Sequence, residues 1–226
     1  MTIVTRVSAA CFAAAALTAS ANASAHYYGI LVSNDIPIEA DWGNSVVIET
    51  FEFGSSCSNF VNHEMWYGVV PGATYWVEVG FKDGLTGSGG CVADADFWAD
   101  YRNGGGYNEH YPGNSWILGD WYQLMITIDT SNHCNWNVEV GGLVLGTSTS
   151  NCPGTGRYVA AGIEATTQGT SESTKGFLTQ WEEENTNGTW LNGWDGASLS
   201  ENSPPYIEFV SGTNNTTLEE VLNEPF

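Results

Sequence analysis

Two β-strand patterns in this sequence each place a glutamate on a face that is otherwise aromatic or small. In TYWVEVGF, residues 74–81, side chains alternate so that Glu78 shares a face with Trp76 and a glycine. In RYVAAGIEATTQ, residues 157–168, Glu164 follows a tyrosine and small residues on its own face. A carboxylate on such a surface is costly unless something uses it. Glu78 and Glu164 are therefore candidate functional residues.

The opposite faces of the same two strands are apolar and indicate where the core lies. They carry Tyr75, Val77, Val79, Phe81, Val159, Ala161, Ile163 and Ala165. If these faces are buried between sheets, the two acid-bearing faces form the floor of a groove. The alternative from the same pattern is two ordinary glutamates facing solvent on edge strands.

A pair of carboxyl groups in one small site has a definite chemistry. The two groups cannot both ionise easily, so one keeps its proton while the other is charged. We expect Glu164 to take a proton from water and Glu78 to donate one to a carbonyl oxygen, although a coupled pair allows the reverse assignment. Such a pair hydrolyses amides or glycosides at low pH without a metal, a cofactor or a covalent intermediate.

The elements that position these acids are predicted to be strands. Short alternating or β-rich runs recur along the chain between clusters of Gly, Asn, Asp and Ser, which predicts an all-β fold, an antiparallel two-sheet β-sandwich. Gly141 and Gly142 suit the turn of a hairpin. Thr217 and Glu220 have capping-box spacing, which predicts a short helix or tail in the last ~12 residues.

The first 25 residues have the features of a secretory signal peptide. Arg6 precedes an apolar run, and Ala-Ser-Ala at 23–25 is a small-residue cleavage site. We therefore expect a secreted protein with one mature domain, residues 26–226, which is long enough to form a core.

Four cysteines remain in that mature domain: Cys57, Cys91, Cys134 and Cys152. In an oxidising compartment they predict two disulfides, for which three pairings exist. We favour Cys57–Cys91 with Cys134–Cys152, because the second pair brackets the predicted hairpin.

The formal net charge of −21 restricts the partners. So acidic a chain repels phosphate backbones and anionic lipids, which argues against nucleic-acid and membrane partners. Aromatic residues such as Trp76, Trp98 and Tyr107 are candidates to line a substrate groove. We expect a monomer.

Several motifs around the two acids resemble the glutamic peptidases, of the scytalidoglutamic (eqolisin) type and the neprosin type. They are an early YYG, the WVEVG and AGIE strands, and YNEHYPGNSWILGDWYQLMITI, which is similar to the eqolisin stretch with a Y-E-W-Y-P core. The resemblance runs from about Tyr27 to about Thr167. It implies a concanavalin-like sandwich of two large antiparallel sheets with the catalytic pair on a concave face.

The resemblance also implies roles for individual residues. Glu78 takes the first catalytic position, which is Gln in eqolisins and Glu in neprosins, and Glu164 takes the second. Glu109 matches the acid of the Y-E-W-Y-P core and would line the groove. Ala165 departs from the neprosins, which have Trp after the second glutamate. The predicted function is a secreted endopeptidase that cleaves polypeptides at acid pH.

The sequence is also compatible with two other functions. One is a non-catalytic extracellular module that binds carbohydrate or protein through an aromatic groove. The other is a copper polysaccharide monooxygenase, in which His26 at the mature N-terminus would bind copper together with His63, His110 or His133. Zinc-protease chemistry is not supported, because HEMWY lacks the second His of the H-E-x-x-H motif.

Overall fold

The structure is a computed structural model. It describes residues 27–28, 30–35, 41–55, 57–68, 76–102, 106–113, 116–117, 119–149, 158–165, 173–185, 187–192, 198–201, 207–212 and 217–222. The predicted signal peptide, together with His26 and Cys152, lies outside these residues.

The described residues form sixteen β-strands and no helix. The strands are β1 Tyr27–Tyr28, β2 Ile30–Asp35, β3 Asp41–Gly54, β4 Phe60–Gly68, β5 Trp76–Leu85, β6 Cys91–Arg102, β7 Gly106–His110, β8 Trp121–Ile128, β9 Trp136–Val140, β10 Leu143–Ser148, β11 Tyr158–Ala165, β12 Ser173–Asn185, β13 Trp190–Asn192, β14 Ser198–Glu201, β15 Ile207–Gly212 and β16 Thr217–Leu222.

The strands assemble into two antiparallel sheets. The first sheet has the order β14-β2-β11-β4-β5-β6-β7, with β1 paired to β11. The second has the order β10-β9-β8-β3-β12-β16-β15, with β13 paired to β12. Strands that are far apart in sequence, such as β11 and β4, are neighbours in the first sheet. The predicted all-β, two-sheet sandwich is confirmed.

The core lies between the two sheets and confirms six of the eight predicted apolar positions; Tyr75 lies outside the described residues, and the side chain of Val159 is not described. On the first sheet, Val77, Val79 and Phe81 of β5 are fully buried, as are Ala161, Ile163 and Ala165 of β11. They join one cluster with residues of the second sheet, including Val46, Ile48, Leu124 and Ile126. Because side chains alternate along a strand, this burial directs the remaining residues of β5 and β11 to the other face of the first sheet.

The predicted hairpin is confirmed. Strands β9 and β10 pair antiparallel, and Gly141 and Gly142 between them have φ values of 58° and 79°. Positive φ at both central residues is what a type I′ turn requires, and glycine adopts it without strain.

The predicted C-terminal helix is wrong. Residues Thr217–Leu222 form β16, which pairs with β12 on one side and β15 on the other. A helix of this length is marginal by itself, whereas a strand between two others satisfies its backbone groups on both edges. The β-branched Thr217 and Val221 also favour a strand.

One disulfide of the favoured pairing is present. Cys57 and Cys91 are bonded, and they connect the segment before β4 to the start of β6. Cys134 is also disulfide-bonded. Because Cys152 lies outside the described residues, its pairing with Cys134 stays a prediction.

The described residues contain no helix long and apolar enough to cross a membrane.

Candidate active site

Three neighbouring strands of the first sheet, β11, β4 and β5, carry the central acids on one face. Glu164 on β11 lies opposite Asn62 on β4, and Glu78 on β5 lies opposite Trp66 on β4. Between these two positions stands Glu64, which has Gly162 of β11 and Gly80 of β5 as its neighbours across the sheet. The two acids chosen from sequence are thus diagonally placed, with a third acid between them.

The carboxyl group of Glu78 is held at both oxygens. Trp66 Nε1 donates a hydrogen bond to Glu78 Oε2 over 3.0 Å, and the Tyr107 hydroxyl lies 2.5 Å from Glu78 Oε1. Trp66 comes from β4 and Tyr107 from β7, so strands on both sides of β5 orient one carboxyl group.

Burial determines the ionisation of Glu78, which is only 4% exposed. Desolvation, followed by the negative charge of Glu164, raises the pKa of Glu78 from 4.5 to about 7. The Tyr107 hydrogen bond and the charge of Lys82 act in the opposite direction but are weaker. Glu78 therefore keeps its proton in mildly acidic solution, and the charge of Glu164 is one of the reasons.

Tyr107 connects Glu78 to Glu109 on β7. Its hydroxyl lies 3.0 Å from Glu109 Oε1, in addition to its short contact with Glu78. One hydroxyl has a single hydrogen. Tyr107 can therefore donate to only one of the two carboxyl groups at a time, either Glu78 or Glu109.

Glu109 is surrounded by donors. Lys82 Nζ lies 2.7 Å from its Oε1, the Tyr111 hydroxyl donates to its Oε2 over 2.8 Å, and the backbone N–H of Gly87 also donates to Oε2. Burial by itself raises the pKa of the Glu109 carboxyl, but the charge and hydrogen bond of Lys82 and the other donors outweigh it, so the pKa is lowered. Glu109 is thus a stable anion paired with a buried cation.

Glu64, Asn62, Lys82 and Tyr111 belong to this site, and sequence reasoning missed them. A signal was available for the first two. In FVNHEMWYG, alternation places Asn62, Glu64 and Trp66 on one face, the same acid-and-aromatic pattern that singled out Glu78. Lys82 stands four residues after Glu78 and so faces the same way. It is also one of five Lys and Arg residues in the chain.

Glycine at position 80 allows β4 and β5 to approach closely at Glu64. A Cβ on Gly80 would lie 2.3 Å from the backbone oxygen of His63 and 2.6 Å from Glu64 Cβ. Contacts this short force the backbone to move. The glycine after Glu78 in WVEVG therefore has a packing role, since it leaves room for the neighbouring acid.

The four residues predicted to line a groove do not all lie together. Tyr107 and Glu109 contact each other and the rest of the site. Trp76 is at the end of the same face, where it stacks on Tyr101 with ring centroids 4.4 Å apart. Trp98 is not in the groove. It lies opposite Val79 in the β5–β6 ladder, is 6% exposed, and belongs to the core.

The three described histidines proposed as copper ligands are separated. His63 is buried opposite Phe81 and Ile163, on the core side of β4. His110 stacks on Trp98, and His133 packs against Trp42 in a loop. In the described part of the chain, no group of three or more His, Cys, Asp or Glu side chains is arranged to hold a metal ion.

Comparison with known proteins gives a likeness of structure. No family model matches the sequence, and no curated protein sequence matches it significantly. The chain is similar to scytalido-glutamic peptidase with a transition state analog inhibitor, with a TM-score of 0.55, 12% identity, and coverage of 86% of this chain and 97% of that one.

Two further structures are similar. Scytalido-glutamic peptidase with a peptide based transition state analog has a TM-score of 0.52 at 13% identity, and covers 86% of this chain and 96% of its own. A member of the Eqolisin family of peptidases, in a complex with the tripeptide Ala-Ile-His, has a TM-score of 0.47 at 14% identity with the same coverage.

The chain has the fold of the scytalidoglutamic peptidases. The likeness to the two scytalido-glutamic peptidase structures extends over most of both chains, whereas identities of 12–13% leave the side chains of the site to be judged by their own chemistry. The eqolisin part of the resemblance seen in the sequence is therefore supported at the level of fold. The neprosin part stays a prediction.

Proposed function

We propose that this protein is a secreted endopeptidase that hydrolyses polypeptides at acid pH through Glu78 and Glu164. The observation that carries the proposal is the pair of buried glutamates on one face of a glutamic-peptidase fold, with the charge of each acting on the other. The mature enzyme is a single domain that begins at His26. The Cys57–Cys91 disulfide fits the oxidising compartment that secretion implies.

The proposed mechanism uses the two carboxyl groups in different protonation states. Glu164, ionised, takes a proton from a water molecule as that water attacks the peptide carbonyl carbon. Glu78, neutral, donates to the carbonyl oxygen, on which negative charge develops. The proton on Glu164 then passes to the departing amine, the C–N bond breaks, and Glu78 recovers its proton as the carbonyl forms again.

The environment of Glu78 supports its role as the acid. With its pKa raised to about 7, Glu78 is protonated throughout the acid range in which Glu164 must be ionised. Trp66 and Tyr107 hold the carboxyl in one orientation. An acid that is oriented before substrate binds does not have to be reoriented during the reaction, which lowers the barrier.

The decisive experiment measures cleavage of a denatured protein from pH 2 to pH 8. Wild-type protein, residues 26–226, is compared with Glu164→Gln, Glu78→Gln and the exposed control Glu182→Gln on β12. We expect Glu164→Gln to lose at least about a hundredfold of the wild-type rate, since an amide cannot accept the proton of water. The control keeps the wild-type rate.

The Glu78→Gln variant distinguishes the proposed role of Glu78 as the acid from that of Glu164 as the base. The amide can still donate to a carbonyl oxygen but does not titrate, so this variant should retain part of the activity and lack the decline near pH 7 that we expect of the wild type. Full activity in Glu164→Gln would refute the proposal. Absence of cleavage by the wild type, together with retention on insoluble glycans, would instead support the non-catalytic binding module.

A further inference from the structure

Glu64 lies at the centre of the site and is the most deeply buried of its acids. It is 0% exposed, compared with 4% for Glu78 and 7% for Glu164. Its carboxyl group is within hydrogen-bonding reach of the Glu164 carboxyl. Asn62 Nδ2 lies against both groups, 3.4 Å from Glu64 Oε1 and 3.5 Å from Glu164 Oε2. Asn62 thus bridges the two carboxyl groups from the side.

This geometry requires a proton. Two ionised carboxylates offer only acceptors to each other, so a hydrogen bond between them forms only when one is protonated. Among the described residues, neither Glu64 Oε2 nor Asn62 Oδ1 has a hydrogen-bond donor. A proton on Glu64 turns one of its oxygens into a donor and removes the repulsion with Glu164.

The proton belongs on Glu64. A charge is disfavoured most where burial is complete, and desolvation is the largest of the causes that raise the pKa of Glu64 well above 4.5. Asn62 donates to both carboxyl groups, so the difference between them is burial, and Glu164 is the more exposed of the two. Glu164 is therefore the member of the pair that ionises.

We infer that Glu64 is a positioning residue: a neutral carboxylic acid that donates a hydrogen bond to the Glu164 carboxylate and keeps it ionised and oriented toward the reacting water. The inference rests on the proposed function, in which Glu164 is the base. The glutamate predicted from sequence to share a proton with Glu164 was Glu78. The geometry gives that place to Glu64 and leaves Glu78 free to act as the acid.

The charged and titratable groups around Glu64 come from three strands. After desolvation, Glu78 on β5 and then Glu164 on β11 raise its pKa, and Lys82 on β5 lowers it by a smaller effect. From β7, the Tyr107 and Tyr111 hydroxyls have their own pKa values raised, chiefly by burial, with Glu64 among the weaker causes. The balance around Glu64 is negative, which keeps its proton in place.

Two substitutions of Glu64 distinguish the effect of its hydrogen-bond donor from the effect of its side-chain volume. Glu64→Gln keeps a neutral donor at the same position, whereas Glu64→Met keeps the length of the chain and removes the donor. If Glu64 supports the charge of Glu164, loss of the donor makes Glu164 hold its proton to higher pH. We expect the acid limb of the kcat/KM profile to move up by about one pH unit in Glu64→Met.

The conservative variant is the internal control for this shift. In Glu64→Gln the acid limb should return to within a few tenths of the wild-type pH, while Glu182→Gln leaves the whole profile unchanged. A purely structural role would lower activity without moving the limb. An unmoved acid limb in a folded Glu64→Met, with the wild type active, overturns the positioning role.

A second measurement does not need peptidase activity. A neutral Glu64 in the fold has a raised pKa, so its contribution to stability is complete below about pH 4.5 and is lost as pH rises. Glu64→Gln does not titrate. Its urea midpoint should match that of the wild type at pH 4 and exceed it increasingly from pH 5 to pH 8.

The two measurements distinguish the failure of this inference from the failure of the proposed function. A constant difference in urea midpoint between Glu64→Gln and wild type at all pH values means that Glu64 is ionised in the fold, and it overturns the inference. If that difference grows with pH but no variant or wild type cleaves protein, the proton is on Glu64 as inferred and the peptidase proposal is what fails.

Discussion

Replacement of Lys82 by Met tests the electrostatic balance of the site. Lys82 is 2% exposed and its Nζ lies 2.7 Å from Glu109 Oε1, whose side chain is 6% exposed. The ammonium also lies 4.2 Å from the centroid of the Phe60 ring. Met has a similar length and packs against the same ring, so the substitution removes the charge while the volume is nearly kept.

The magnitude follows from burial and distance. At an effective dielectric constant of about 20, two unit charges 2.7 Å apart attract by about 6 kcal/mol, which is an upper limit because desolvation opposes it. Breaking a buried pair on one side costs about 3–5 kcal/mol, since it leaves the other charge uncompensated. We expect Lys82→Met to lose this much of the free energy of unfolding at pH 7.

The pH dependence of the loss identifies its cause. Glu109 has a lowered pKa, so the stability it contributes is present above its ordinary pKa of 4.5 and is lost as pH falls through the folded value. When Glu109 becomes protonated, Lys82 has no counter-charge and the wild type is weakened too. The gap between wild type and Lys82→Met should therefore be widest above pH 5 and should narrow toward pH 2.

The assay is urea unfolding followed by tryptophan fluorescence at pH 7 and pH 2.5. The double variant Lys82→Met/Glu109→Gln completes a double-mutant cycle, and it should lose less stability at pH 7 than Lys82→Met alone, because neither charge is left unpaired. A loss that is equal at both pH values, or additive losses in the double variant, would refute the reasoning.

Two further substitutions test the rest of the acidic face. Glu78→Gln should be more stable than wild type by about 3 kcal/mol at pH 8 and equal to it at pH 4. The folded protein raises the pKa of Glu78 from 4.5 to about 7, and each pH unit of this shift costs about 1.4 kcal/mol of stability once Glu78 is ionised. Urea midpoints at both pH values measure the difference. Gly80→Ala should lose about 1–3 kcal/mol of the free energy of unfolding at any pH, because its Cβ would lie 2.3 Å from a backbone oxygen of β4. In the same unfolding assay, its urea midpoint should fall equally at pH 4 and pH 8.

The sequence by itself determined the strands and the faces of two of them. Alternation in TYWVEVGF and RYVAAGIEATTQ separated core residues such as Val79 and Ile163 from Glu78 and Glu164, and Val79 and Ile163 belong to the hydrophobic core. The Gly141-Gly142 turn was also readable, since its requirement for positive φ is local. These features depend on neighbours within a few residues, and such neighbours are present in the sequence pattern.

The order of the strands and the partners of each acid were decided only in the tertiary structure. Glu64 lies beside Glu164 because β11 inserts next to β4, about a hundred residues away in the chain. Trp98 is flanked on its own face of β6 by Asp96 and Asp100, yet its pairing with Val79 places it in the core. Alternation defines two faces and does not say which one a distant strand will cover.

Pairing between strands that are distant in the sequence also explains the C-terminal strand and the buried ion pair. Residues Thr217–Leu222 have a sequence compatible with either a helix or a strand, and the open edges of β12 and β15 select the strand. Lys82 and Glu109 form a pair because β6 lies between their strands and brings β7 within reach of β5. Local sequence determines what each segment can become, and pairing between distant segments selects one outcome, because backbone hydrogen bonds and buried charges must find partners.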